Sequence, residues 1–153
     1  MRLLGLPSVA QYALRAMTCV AAADAAAGAL GFVPADVLAA RTAVPPAFLS
    51  KVLRKLVRGG LLRSTKGHHG GFTLARAPAT IRLLDVLEAV EVELTSNTCA
   101  FGWGRCDSHT PCPLHAAHLE LRHSLLEWAT HRTLADIDLS LCDAPPEASG
   151  AIR

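Results

Sequence analysis

A mainly α chain with a small β-hairpin wing, built as a winged helix-turn-helix followed by a long dimerisation helix, is the fold class predicted here. Three observations predict it. Apolar residues recur at three- and four-residue spacing in successive segments up to Leu56, a Gly-rich hairpin follows, and a second long apolar stripe begins near Leu114. With 153 residues, 51% of them hydrophobic, the chain can bury a real core as one domain, or as one small domain with an appendage.

The first helix is expected from about Pro7 to Ala27, where Val9, Tyr12, Ala13, Ala16, Met17 and Val20 share a face and Gly28 and Gly31 provide the stop. Cys19 falls inside this apolar helix and reads as a small core residue. A short helix, Ala35 to Arg41, opens behind Pro34, because proline is tolerated in a first turn; Val37 and Leu38 are its inward face. After a break at Thr42, Ala43 and Val44, Pro45 and Pro46 start the next helix. There Phe48, Leu49, Val52, Leu53 and Leu56 form one apolar stripe, Lys51, Arg54, Lys55 and Arg58 lie opposite, and Gly59-Gly60 supplies a left-handed end.

Two strands, Leu61 to Thr65 and Phe72 to Ala75, flank the turn Lys66-Gly67-His68-His69-Gly70-Gly71, whose glycines permit positive φ. Residues 1–80 therefore read as the winged helix-turn-helix unit and 81–92 as a connecting helix with Leu84, Leu87 and Val90 apolar. Residues 93–113 form a cysteine-rich loop. Residues 114–140 hold the long helix and a short, Thr133-capped final one, and 141–153 a flexible tail rich in proline and small residues. Leu114, His118, Leu121, Leu125 and Trp128 alternate by four and three, the pattern of a pairing seam.

Charge is segregated along the chain. From Val37 to Leu84 there is no Asp or Glu, yet nine of the fifteen Lys and Arg lie there, although the net charge is only +2. A solvated helix face usually mixes signs, since opposite charges one turn apart stabilise it. An acid-free basic stretch instead argues for a polyanion, and double-stranded DNA is the expected partner. In a helix-turn-helix the second helix enters the major groove. Here Pro46, Ala47 and Ser50 permit close approach, Ser50 and Lys51 are expected nearest the bases, and Arg54 and Lys55 nearest phosphate. Lys66, His68 and His69 at the hairpin tip are expected to reach a neighbouring groove or backbone.

The five cysteines do not suit a disulfide framework, and Cys99, Cys106 and Cys112 lie within fourteen residues, with His115 three residues beyond. Thiolates are soft ligands for iron-sulfur clusters and for zinc. Structural zinc usually takes ligands in tight pairs, whereas six residues separate Cys99 from Cys106 and five separate Cys106 from Cys112. That spacing favours a larger group, with His115, one turn past Cys112, as candidate fourth ligand and zinc as the alternative cofactor. His109 and His118 lie nearby, and Cys142 offers no role.

A reducing, cytoplasmic setting fits unpaired thiols. Gln11, Tyr12 and Arg15 interrupt a start that otherwise resembles a signal peptide, and no apolar run is long enough to span a membrane. Without a phosphate loop, nucleophile elbow or paired-carboxylate motif, an enzyme is not expected.

Taken together, Met1-Arg2-Leu3, Tyr12-Ala13-Leu14-Arg15, the wing from Lys66 to Leu74 and the run Cys112-Pro113-Leu114-His115 resemble one family over nearly the whole chain. It is similar to the iron-sulfur winged-helix transcription regulators typified by IscR and NsrR. The resemblance implies a homodimer on operator DNA, a long helix crossing between subunits and a 2Fe-2S or 4Fe-4S cluster, with Cys99, Cys106 and Cys112 as ligands. His115 matches the histidine of the IscR type. The acidic ligand of the NsrR type falls at Gln11, which cannot act as an anion, and one residue is added between Cys99 and Cys106. Operator affinity set by a cluster that senses redox state, iron-sulfur status or nitric oxide is the function so implied; the alternative is a zinc-stabilised DNA-binding protein without sensing.

Overall fold

The computed structural model describes residues 6–27, 31–95, 98, 99 and 101–143. The start at Met1, the Gly28 stop and the tail beyond 143 lie outside them. Among the described residues the chain forms α1 (Ser8–Ala27), α2 (Ala35–Thr42), α3 (Pro46–Arg58), a hairpin of β1 (Leu62–Thr65) and β2 (Gly71–Leu74), α4 (Leu83–Ala89) and α5 (His115–His131). Short 3-10 turns follow at Pro78–Thr80, Leu134–Asp136 and Leu139–Asp143.

Helix α1 is the hub. Its alanine-rich face allows close approach, and Ala13, Ala16, Met17 and Val20 are fully buried against Leu38 of α2, Leu49, Leu53 and Leu56 of α3 and Val86 of α4. Cys19 is buried in the same core. The α2–α3 turn is sharp because Ala43 adopts a left-handed conformation, φ 52°, and two prolines then preset the first turn of α3. At the other end of α3 it is Gly60, φ 72°, that takes the left-handed turn, while Gly59 remains right-handed.

The strands pair antiparallel from Leu62 opposite Leu74 to Thr65 opposite Gly71. Val33 adds a bridge to the wing, exchanging two backbone hydrogen bonds of 2.9 Å with Phe72. That approach requires Gly71: its φ is 155°, and a Cβ there would lie 2.5 Å from the Val33 carbonyl oxygen.

After the wing, Ile81 and Leu83 receive the returning C-terminal segment, with Leu83 N–H donating to the Arg132 carbonyl at 2.9 Å and Leu134 N–H to that of Ile81 at 3.0 Å. Ala129 of α5 is buried with Ala10 and Leu87 in a second, smaller apolar cluster, so one side of α5 is fixed on α1 and α4. The last turn, Leu139–Asp143, packs on α1, so the segment expected to be loose from 141 is structured as far as 143.

Candidate nucleic-acid interface and metal centre

The proline start and glycine stop of α3 fix its bounds, and its apolar stripe fixes which side faces outward. Leu49, Val52, Leu53 and Leu56 point into the core, and Pro46, Ala47, Ser50, Lys51 and Arg54 are exposed together. Arg54 Nε donates to the Ser50 carbonyl at 3.3 Å, which folds this guanidinium back along the helix.

Two residues depart from expectation. Phe48, placed by its spacing in the buried stripe, is 56% exposed. It stands at the first turn of α3, with the Tyr12 ring of α1 at 6.5 Å and Lys51 Nζ at 6.0 Å from its ring centroid. Lys55 is half-buried and is not a free cation: its Nζ lies 2.6 Å from Glu91 Oε2. That hydrogen bond, then the Lys55 charge, holds the Glu91 carboxyl below its ordinary range. A basic stretch with no acid of its own thus borrows one from just past α4. Lys66, His68 and His69 are all exposed at the wing tip, with the two imidazoles edge to face at 5.3 Å.

The cysteine loop has local order despite its irregular course. Thr98 and Arg105 form a bridge, Cys99 N–H donates to the Gly104 carbonyl at 2.8 Å, and Gly102 and Gly104 turn with φ of 84° and 80°. This tight turn wraps the buried Cys99 sulfur. The amides of Trp103 and Phe101 donate to it and hold its pKa below the ordinary thiol value; burial pushes the other way, and the Cys112 thiol and the Gly102 amide add to the lowering. A thiol so surrounded is prepared to be a thiolate ligand.

Cys106 and His115 form a second pair, Sγ to Nδ1 3.5 Å. His115 is brought there by the turn that starts α5, where its N–H donates to the Cys112 carbonyl at 3.0 Å. The four candidate ligands therefore meet as two pairs, Cys99 with Cys112 and Cys106 with His115. Among the described residues no group of three or more His, Cys, Asp or Glu is gathered tightly enough to hold a metal ion. The donor chemistry nevertheless fits one: three soft sulfurs and an imidazole suit iron-sulfur or zinc, and amide donors to sulfur are what a thiolate-bound centre uses.

Spacing alone did not single out His118. It lies in the α5 stripe but is buried, with its ring edge to face against Phe101 at 5.9 Å, while Leu114, Leu119, Leu121 and Trp128 of the same helix remain 39–46% exposed. Among the described residues no helix is long and apolar enough to cross a membrane.

Comparison with known proteins agrees with this architecture. Residues 6–138 match the Rrf2 family, described as an iron-dependent transcriptional regulator. A Mycobacterium tuberculosis protein assigned as an HTH-type transcriptional regulator is 42% identical over 87 residues, 57% of this chain and 52% of that protein, so the match spans about half its length. The HTH-type transcriptional regulator IscR of Escherichia coli is 28% identical over 132 residues, 86% of this chain and 78% of its own. Among solved structures, CymR, the global cysteine regulator of B. subtilis, superposes with a TM-score of 0.70 at 19% identity, covering 87% of this chain and 95% of that one. IscR of T. potens gives 0.65 at 22% identity, covering 87% and 85%. These relatives are regulators rather than enzymes, and the structural likeness is one of winged-helix fold.

Proposed function

The chain belongs to the Rrf2 family and is a DNA-binding transcriptional regulator with a winged-helix fold, and from that premise we propose that it acts as a cytoplasmic homodimer whose operator affinity is set by an iron-sulfur cluster on the cysteine loop. The observation that carries this reading is the loop itself. It holds an amide-cradled Cys99 near Cys112 and a Cys106–His115 pair in the segment that leads from α4 into α5.

Cys99, Cys106, Cys112 and His115 are the residues that would hold the cluster. Once bound, it supplies a centre whose charge and ligation respond to oxidants, iron supply or nitric oxide. The chain's own part is positional. Closing the loop fixes the start of α5 relative to α4, and α4 is joined to the recognition helix α3 through Lys55 and Glu91. In a homodimer paired along the exposed apolar residues of α5, a small shift at the loop alters the spacing of two recognition helices. Half-sites one helical turn apart tolerate little mismatch, so a coupling of about 1–3 kcal/mol is in reach. Pro46, Ser50, Lys51, Arg54 and Lys55 of α3, with Lys66, His68 and His69 of the wing, form the proposed DNA surface.

The first experiment is the visible absorption spectrum and iron and sulfide content of anaerobically purified protein, taken before and after one oxidant equivalent. Reversible bands with bound iron support the reading. Colourless protein carrying zinc after anaerobic reconstitution replaces it with a zinc-stabilised regulator. The sensing step is tested by Cys106→Ala, whose operator affinity must differ from that of the cluster-loaded wild type.

A further inference from the structure

The side chain of His118 is 8% exposed, and among the described residues neither of its ring nitrogens meets a hydrogen-bond partner. An orphaned imidazole costs the folded chain free energy, and native proteins keep such groups rarely and for a reason. Its place suggests what the reason is. His118 stands three residues after His115 on α5, hence on neighbouring ground of the same helix side. Its ring rests on Phe101, and the amide of Phe101 donates to the Cys99 sulfur. Phe101 therefore touches the His118 ring with its side chain and the Cys99 sulfur with its amide, so His118 stands beside the thiolate cradle.

We propose that His118 is a positioning residue of the cysteine site, donating an imidazole N–H to a sulfur of the metal centre held by Cys99, Cys106, Cys112 and His115. The inference rests on the cluster reading above. Both nitrogens are shut off from solvent, so a second chain docking outside does not reach them, and the segment seen against the ring is the cysteine loop at Phe101. A lone water needs two to four polar contacts, which the Phe101 ring does not offer. Metal-bound sulfur, by contrast, is an acceptor that needs N–H donors, and such donors stabilise the reduced, more negative centre and raise its potential.

His118→Phe keeps an aromatic ring against Phe101 and removes both nitrogens; His118→Gln keeps an N–H. The test compares them with wild type, metal-free and after anaerobic reconstitution with ferrous iron and sulfide. Metal-free His118→Phe should melt at the wild-type temperature or above, because the variant discards an unpaired group. Reconstituted, it should hold as much iron per chain as wild type but show shifted visible bands and a lower reduction potential, with His118→Gln nearer to wild type.

Four results overturn the proposal. A fall in melting temperature of the metal-free Phe variant means that the imidazole already has a partner. Loss of iron from the Phe variant but not from His115→Ala makes His118 a ligand instead of a donor. An unchanged potential and spectrum in an iron-loaded variant removes the hydrogen bond while leaving the cluster reading intact; failure of wild type itself to take up iron removes both.

Discussion

Lys51 is an exposed cation of α3 that meets no acid among the described residues, and its Nζ only skirts the Phe48 ring at 6.0 Å. Lys51→Ala is therefore expected to weaken binding to duplex DNA by about 1–2 kcal/mol, roughly tenfold, with an unchanged circular dichroism spectrum; fluorescence anisotropy measures it. Asp85 has the opposite character, being mostly structural. Burial pushes its carboxyl up, but hydrogen bonds from the Arg82 side chain and amide and the charges of Arg82 and Arg76 prevail, so its pKa lies below the ordinary 3.8. A lowered native pKa means that its contribution to stability is complete above pH ~4 and is lost as the pH falls through the native value. Asp85→Asn should accordingly cost about 1 kcal/mol at pH 7, as loss of a helix cap does, with the gap to wild type closing below pH ~4 in thermal melts. Asp85 at N3 of α4 is a local signal that the sequence carries openly. The acid that meets Lys55 is not, because Glu91 lies 36 residues away and one-turn charge patterns cannot register it.

At the scale of elements, α3 spans the residues that its punctuation implies, Pro46–Arg58, since proline and glycine act on the backbone alone and need no tertiary partner. The first strand starts one residue later than expected and ends where expected, and the second is shifted one residue toward the N-terminus. Periodicity is less informative at the rim of a face. Phe48 and His118 sit in apolar stripes, yet one is exposed and the other is a buried polar ring, because the neighbouring element decides which end of a stripe is covered. The pairing of the candidate ligands was equally hidden, since it depends on loop turns at Gly102 and Gly104. The Val33 bridge was also invisible, and it makes the wing vulnerable at one place. Gly71→Ala drives a methyl into the Val33 carbonyl at a φ that L residues rarely adopt. The variant should lose more than 1 kcal/mol of stability in denaturant titrations and bind DNA more weakly, whereas Gly67→Ala, with open space around it, pays only the positive-φ cost.

For the molecule as a whole, the exposed apolar residues of α5 define the outcome of dilution. Leu121 and Trp128, two turns apart on one side of the helix, are 46% and 39% exposed, while Ala129 is fixed against α1 and α4. If this side pairs two chains, Leu121→Glu yields a monomer in sedimentation velocity with its helical content retained, and its affinity for a two-half-site duplex falls toward that of a single unit. A variant that stays dimeric moves the interface elsewhere.

The Lys55–Glu91 pair also bears on how many ions leave when the protein meets nucleic acid. If Lys55 turns to a phosphate, the Glu91 carboxylate it abandons must recruit a cation from solution, so one of the ions released from the duplex is taken up again. The protein carries a built-in competitor for the phosphate, and the dependence of affinity on salt understates the number of basic side chains at the interface. Glu91→Gln abolishes the competition. Titrations at several potassium chloride concentrations should then show tighter binding in dilute salt and a slope steeper by about one ion, so that part of the regulator's affinity is held in reserve by its own carboxylate.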